Sequence, residues 1–98
     1  MNLGTSEGAS CDPALRDLLH GVFAGQDRYD HVVDGRFKGG HITRSFGRPA
    51  EGVHAVQLEM CWRAYMDESP PRWNDERAAA VTPLLRALVQ AMIAWRPR

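Results

Sequence analysis

Cysteine is scarce in this chain and imposes no covalent constraint. The 98 residues contain two cysteines, Cys11 and Cys61, and no CxxC pair. Two such cysteines exclude a disulfide framework. Free thiols are typical of a reducing compartment, so we expect a cytoplasmic protein. The sequence also lacks a charged N-terminal segment followed by an apolar run, and we therefore expect no signal peptide.

An excess of one charge and a long apolar run are missing as well. Twelve basic residues balance twelve acidic ones, which excludes a global attraction to nucleic acid or to an anionic membrane. The longest apolar stretch, Ala78–Trp95, is interrupted by Thr82, Pro83, Arg86 and Gln90, and this polarity argues against a membrane span. We therefore expect neither nucleic acid nor a membrane among the partners.

A metal-binding motif is also absent. The four histidines are His20, His31, His41 and His54, and none has a second histidine or a carboxylate at the spacing of a helical zinc motif. A catalytic zinc takes three protein ligands and keeps one position open. The sequence therefore predicts no metal site within these residues.

Two amphipathic helices are the clearest elements that are present. Asp12 followed by Pro13 predicts a helix start, and apolar residues at helical spacing extend this helix to about Gly25. A second apolar stripe predicts a C-terminal helix from about Asp75. Within it, Thr82-Pro83 leaves two alternatives, one helix kinked at the proline or a helix restarted with Thr82 as its cap.

The segments between the helices favour short strands. Tyr29–Val33 and Val53–Leu58 are β-prone, and the second is apolar enough for burial on both faces. The glycine-containing segment around Ile42-Thr43 predicts a hairpin-like loop between them. Met1–Ser10 is small and polar and predicts a loop, and Cys61–Met66 predicts a short helix.

Together these elements predict an α/β fold in one domain over residues 1–98. It consists of a helix, two to three short strands and a C-terminal helix. A sheet this small is marginal unless helices cover it, so we expect a fragment of a larger mixed sheet with flanking helices. The unpaired strand edge of such a fragment favours a homo-oligomer.

The segment Arg36–Arg48 has the composition of an anion-binding loop. It contains four cations, no acidic residue and two adjacent glycines, Gly39 and Gly40. Arginine can clamp a carboxylate with two parallel hydrogen bonds, and glycine lets the backbone approach a ligand closely. The alternative is a solvated hairpin with a cationic tip. A phosphate-binding loop is disfavoured because the Walker pattern is missing.

The segment Val53–Glu59 carries the candidate catalytic carboxylate. In a regular strand Gln57 and Glu59 share one face, and His54 lies on the other. A carboxylate at the end of an apolar strand suits general-base catalysis. The structural alternatives are that Glu59 pairs with an arginine and that His54 is a hydrogen-bonded core histidine.

Several segments together resemble one enzyme family: LGTSEGASC, FKGGHITRSFGRP, EGVHAVQLEM, YMDE and the closing AWRPR. The combination resembles the C-terminal part of N-formylglutamate amidohydrolases, also called N-formylglutamate deformylases, over essentially the whole chain. The resemblance implies hydrolysis of N-formyl-L-glutamate to formate and L-glutamate, a step of histidine degradation. It also implies zinc as the cofactor and a fold similar to that of zinc-dependent exopeptidases.

The resemblance further assigns roles to residues of this chain. Glu59 matches the glutamate of the family's QLE motif and is the expected general base. Arg44 matches the arginine of the ITR motif and is the expected anchor for the substrate's carboxylate.

The neighbouring residues would complete the substrate site. Lys38, Gly39 and Gly40 would shape the pocket, and Gln57 and His54 would support it from the adjacent strand.

Family members are much longer than this chain, and the resemblance places their zinc ligands in the part that precedes it. We therefore expect the ligands to lie outside these 98 residues, and the chain alone to show little deformylase activity. The alternative is a non-catalytic module that binds a small acid or a partner through the same loop.

Overall fold

The computed structural model describes residues 1–97. Its elements, in chain order, are β1 (Asn2–Gly4), α1 (Pro13–Ala24), β2 (Val32–Val33), α2 (His41–Phe46), β3 (Gln57–Glu59), β4 (Met66–Glu68), β5 (Pro71–Trp73) and α3 (Asp75–Ala94). Single 3-10 turns lie at Pro49–Glu51 and Trp62–Ala64. The strands β2, β1 and β3 form a mixed sheet in that order, and β4 and β5 form a separate hairpin. The predicted mixed α/β class is confirmed.

The first helix follows the sequence prediction closely. The side chain of Asp12 caps α1 by accepting a hydrogen bond from the Ala14 N–H at 2.7 Å, and Pro13 occupies the first turn. Gly25 ends the helix. The buried face of α1 consists of Leu15, Leu19 and Phe23. These residues form the core together with Leu3, Cys11 and Leu88.

The last helix is continuous from Asp75 to Ala94, so the alternative of a helix restarted at Thr82 is wrong. Asn74 caps α3 by accepting a hydrogen bond from the Arg77 N–H, and Pro83 lies inside the helix. Proline has no N–H to donate to the preceding turn. The Thr82 hydroxyl donates back to the Ala78 carbonyl at 2.7 Å, as a threonine within a helix does, and does not act as a cap.

On length and composition, α3 also meets the requirement for a membrane-spanning helix, with a mean hydropathy of 1.2. Polarity therefore does not exclude a span, contrary to the sequence expectation. One side of α3 packs in the core, because its buried residue Leu88 belongs to the same cluster as Leu15 and Leu19 of α1. Val89 and Ile93 lie on a more exposed part of its surface.

The prediction of a loop over Met1–Ser10 is wrong, because Asn2–Gly4 is the central strand of the sheet. β1 runs parallel to β2 and antiparallel to β3, with Leu3 opposite Val33 and Leu58. Asparagine and glycine have low strand propensity, so local sequence gives no signal. A side chain at Gly4 is excluded by the neighbouring loop, since a Cβ at this position would lie 2.8 Å from the Lys38 carbonyl oxygen.

The hairpin-like loop around Ile42-Thr43 is instead the short helix α2. Gly40 precedes the helix, and the Thr43 hydroxyl donates to the Gly40 carbonyl at 2.9 Å. Thr43 is buried, so tertiary contact overrides the strand preference of its β-branched side chain.

The predicted strand Val53–Leu58 is regular only from Gln57 onward. Ser10 withdraws the preceding part from the sheet, because its carbonyl accepts from the Ala55 N–H at 2.9 Å and its hydroxyl donates to the Ala55 carbonyl at 2.7 Å. The segment is half-buried rather than buried on both faces. The predicted helix over Cys61–Met66 shrinks to the 3-10 turn at Trp62–Ala64, and Met66 begins β4.

Among residues 1–97, β2 and β3 are each paired on one side alone. Such edges can accept a further strand. Association of the chain into a homo-oligomer through them stays a prediction.

Candidate carboxylate-binding site

The candidate site lies where the loop after β2 folds back over the start of the chain. The buried side chain of Asn2 donates to the Phe37 carbonyl at 2.6 Å and accepts from the Phe37 N–H at 3.4 Å. Just beyond β1, the Ser6 N–H donates to the Lys38 carbonyl at 2.7 Å. These bonds fix the glycine-containing loop against the first strand.

Asp34 joins the same two segments from the other side. Its carboxylate accepts hydrogen bonds from the N–H and the hydroxyl of Thr5, and Arg16 lies 3.4 Å away. Burial by itself would raise the pKa of Asp34, but the hydrogen bonds from Thr5 and the charge of Arg16 outweigh it and hold the pKa below its ordinary value. Asp34 is therefore ionised at neutral pH and fixes both segments.

A cleft of about 540 Å³ opens between these segments and the start of α2. It is lined by Ser6, Glu7, Arg36, Phe37, Lys38, Gly39, Gly40, Arg44 and Gln57. The structure thus brings together five of the seven residues singled out from the sequence, namely Lys38, Gly39, Gly40, Arg44 and Gln57. The volume of the cleft is in the range of small-molecule sites.

The cleft is strongly cationic. Arg36, Lys38 and Arg44 line it, and Glu7 supplies the one carboxylate among the lining residues. The Lys38 ammonium lies 3.8 Å from the Glu7 carboxylate, and both side chains are exposed. Arg44 donates to the Gly39 carbonyl at 3.0 Å, which holds its guanidinium over the loop. This arrangement suits a small anion.

The two glycines contribute differently to the loop. Gly39 has φ +130°, and a Cβ there would lie 2.2 Å from the Thr43 hydroxyl oxygen, so a side chain is excluded by both backbone and space. At Gly40 the N–H donates to the side-chain oxygen of Gln57 at 2.7 Å. Gln57 therefore holds the loop from β3.

Glu59 does not line the cleft but is hydrogen-bonded to Gln57, which does. As predicted, the two share one face of β3, and the Gln57 amide donates to the Glu59 carboxylate at 3.0 Å. Glu59 itself lines an adjoining depression, where Arg36 and Phe37 form the shared wall. The candidate base thus stands beside the cationic cleft, on the far side of Phe37.

His54 does not line this cleft, and the supporting role expected for it stays a prediction. Its Nδ1 accepts a hydrogen bond from the Asp12 N–H at 3.0 Å, and its ring meets the edge of Trp95 with centroids 4.9 Å apart. His54 thus ties the start of α1 to the end of α3, as in the alternative of a core histidine. His54 precedes β3, which begins at Gln57.

Ser6 and Glu7 were missed by sequence reasoning. Ser6, Glu7 and Gly8 form one left-handed turn, with φ of 50°, 57° and 89°. This conformation costs an L-residue roughly 1–2 kcal/mol, and the bonds of Thr5 to Asp34 hold the turn in place. The sequence signals were Gly8, because glycine adopts positive φ readily, and the family-like segment LGTSEGASC, which contains both residues.

Residues 1–97 contain no group of three histidine, cysteine, aspartate or glutamate side chains placed to hold a metal ion. The residues of this segment therefore do not by themselves fit a catalytic zinc, which takes three protein ligands.

Comparison with known proteins identifies the family. A sequence model described as N-formylglutamate amidohydrolase matches residues 1–66, which include the whole cleft. The chain belongs to the N-formylglutamate amidohydrolase family. The resemblance predicted from the sequence is confirmed.

Members of the N-formylglutamate amidohydrolase family are longer than this chain. N-formylglutamate deformylases of Pseudomonas putida and Pseudomonas aeruginosa are each 50% identical to it over 95 residues, or 96% of this chain and 36% of theirs. The crystal structure of N-formylglutamate amidohydrolase from Ralstonia eutropha JMP134 matches with a TM-score of 0.77 and 29% identity, over 94% of this chain and 33% of that one. The chain thus spans about a third of the length of these relatives.

Proposed function

We propose that this chain forms the carboxylate-binding side of an N-formylglutamate amidohydrolase, which hydrolyses N-formyl-L-glutamate to formate and L-glutamate. The observation that carries the proposal is the convergence of Arg36, Lys38 and Arg44 on one cleft. The substrate has two carboxylates and no cation, so its charge complements the cleft. Family membership and the names of the Pseudomonas relatives support the reaction.

In this proposal the cleft binds and orients the substrate. Arg44 offers a planar fork to one carboxylate, and Lys38 contributes a compact positive charge. The bare backbone at Gly39 and Gly40 lets the substrate lie close to the loop. Because the loop is already bonded to Asn2 and Gln57, little conformational entropy is lost on binding.

The scissile amide would then extend past Phe37 toward Glu59. Glu59 accepts a hydrogen bond from Gln57, which orients its carboxylate, and the adjoining depression gives it access to solvent water. Glu59 is proposed as the general base that takes the proton of the attacking water.

Zinc remains part of the proposal on the basis of the resemblance. When bound, zinc lowers the pKa of its water and polarises the carbonyl. The zinc ligands would lie outside residues 1–97, in a fold of the zinc-exopeptidase type. A cytoplasmic place in histidine degradation is proposed on the same basis.

Calorimetry with N-formyl-L-glutamate tests the binding role. The 98-residue chain should bind it, and Arg44→Ala should raise the Kd by about 10- to 100-fold, because a hydrogen-bonded charge contributes roughly 1.5–3 kcal/mol. Arg86→Ala, an exposed arginine on α3, is the matched control and should leave the Kd unchanged. Equal affinities for wild type and Arg44→Ala would refute the proposed site.

A non-catalytic small-acid-binding module is the second candidate, favoured by the lack of a three-ligand cluster in residues 1–97. Formate release and zinc content of the purified chain separate the two. Binding without formate release fits either a binding module or a partial enzyme. One tightly bound zinc with turnover would contradict our placement of the ligands outside this segment.

A further inference from the structure

The depression that adjoins the cationic cleft has a different chemical character from the cleft. Its volume is about 400 Å³, and Arg36 and Phe37 form the wall that it shares with the cleft. Met1, Val32 and Met60 contribute to the rest of its lining, and together with Phe37 they make its surface largely apolar. The two compartments thus meet at Phe37, and we call the second one the apolar depression.

The charges around Phe37 determine which end of a ligand each compartment can take. Glu59 supplies the carboxylate of the apolar depression, and its negative charge repels a carboxylate of the ligand. The neighbouring side chain of Asn2 is already bonded to the backbone of Phe37. Lys38 and Arg44 attract carboxylates on the cleft side of Phe37. A ligand with carboxylates at one end and a neutral group at the other is therefore oriented across Phe37.

The apolar depression is much larger than a formyl group. Such a group has one carbon and one oxygen atom, and a single water molecule occupies about 30 Å³ in the liquid. A volume of about 400 Å³ leaves space for several further carbon atoms. Val32 and Phe37 are 46% and 47% exposed, so their apolar surface is available to a ligand. Covering this surface favours binding, because it removes apolar area from water.

We propose that the apolar depression is an acyl subsite, and that this chain binds N-acyl-L-glutamates whose aliphatic acyl groups are longer than formyl. The inference rests on the proposed function and names its substrate class. With the carboxylates of the ligand in the cationic cleft, the neutral amide crosses Phe37. The acyl chain then lies against Val32 and Met60, on the side of Phe37 where Glu59 is found. Each methylene that it buries there strengthens binding.

Calorimetry on the 98-residue chain with N-formyl-, N-acetyl-, N-butanoyl- and N-hexanoyl-L-glutamate tests the proposal. The Kd should fall about 2- to 4-fold for each added methylene, since partial to complete burial of a methylene has an effect of this size. A Kd that stays constant or rises along the series would overturn the acyl subsite. Arg44→Ala should weaken binding of the N-formyl and N-butanoyl compounds by the same factor, because both use the cationic cleft. Undiminished N-butanoyl binding in this variant would also overturn the proposal.

Two variants locate the acyl chain. Met60→Gln keeps the length of the side chain but makes it polar, and Val32→Thr keeps the branched shape that suits a strand. Each should reduce the gain in affinity from the N-formyl to the N-butanoyl compound by about 3-fold. Met92→Gln is the matched control, because Met92 lies in a separate apolar groove between β3 and α3 and should leave this gain unchanged. A gain that is lost in the control but kept in the two variants would place the acyl chain in that groove and overturn the proposal.

The outcomes separate the acyl subsite from the function on which it rests. If no compound of the series binds, the proposed function fails and the acyl subsite fails with it. If N-formyl-L-glutamate binds and Arg44→Ala weakens this binding, but the Kd does not fall along the series, the acyl subsite alone is overturned. If Met60→Gln does not fold, Val32→Thr decides the result, since Val32 is exposed on β2.

Discussion

The region that builds the cleft and the helix α3 are held in place by different interactions. In the cleft region, the buried side chains of Asn2, Thr5 and Ser10 each hydrogen-bond a residue at least 29 positions away along the chain. In α3 the buried residues are Ala78, Val81 and Leu88, all apolar. The first region depends on directional bonds between distant segments, and the second on apolar burial.

This difference predicts where the chain tolerates change. A hydrogen bond fixes the donor and acceptor to within a few tenths of an ångström, and replacing either atom removes it. Apolar packing, by contrast, tolerates the exchange of similar side chains. The family sequence model covers the first region and ends at residue 66, before α3 begins. Because the cleft depends on directional bonds, we expect it to tolerate fewer substitutions than α3.

The largest expected effect is at Gly39. Gly39→Ala should destabilise the fold by about 3 kcal/mol and abolish binding of N-formyl-L-glutamate, because the added methyl meets the Thr43 hydroxyl and the backbone has positive φ. Urea denaturation and calorimetry measure the two effects.

Gly21→Ala is the matched control for Gly39→Ala. Gly21 lies in α1 with nothing within 4 Å of an added Cβ, so the change should stabilise the helix by up to about 1 kcal/mol. Loss of stability in both variants, to a similar degree, would contradict the distinction drawn here.

The next largest effect is a pH dependence of the free energy of unfolding, which arises from Asp34 in the cleft region. The pKa of Asp34 is lower in the folded chain than in the unfolded chain. The stability that ionised Asp34 contributes is therefore fully present above the unfolded pKa of about 3.9, and it is lost as the pH falls through the lower folded pKa. Urea titrations between about pH 7 and pH 2.5 should show this loss. Asp34→Asn, which tolerates the positive φ of residue 34, should flatten the acid limb. An unchanged acid limb would rule out this role for Asp34.

The smallest effect tests the separation of His54 from the cleft. His54→Ala leaves the Asp12 N–H without its acceptor and removes the ring contact with Trp95, so we expect a loss of about 1–2 kcal/mol. The Kd for N-formyl-L-glutamate should not change, the reverse of the pattern expected for Arg44→Ala. A weakened Kd with unaltered stability would restore His54 to the site.

Local signals explain which predictions succeeded. The aspartate cap and the proline that begin α1 affect the backbone within about four residues. The apolar stripe of α3 is a pattern among residues of the same helix. The cationic, glycine-containing loop was equally readable, because charge and glycine content need no knowledge of distant contacts. These features led from the sequence to Lys38, Gly39, Gly40 and Arg44.

The predictions that failed concern residues whose state is set by a partner far along the chain. Asn2–Gly4 is a strand because β2 and β3 pair with it, and Thr43 is helical because it is buried beneath the loop. Ser10 bonds to Ala55 and takes it out of the sheet. None of these pairings leaves a mark in local propensity.

The sequence by itself determined the two main helices, the mixed α/β class, the family and the cationic loop. The tertiary structure decided that β1 is the centre of the sheet, that Gln57 links Glu59 to the loop, and that Ser6 and Glu7 join the cleft. The physical reason is the range of the interactions. Caps, helical periodicity and composition act between neighbours, whereas the cleft is assembled by hydrogen bonds between segments that meet when the chain folds.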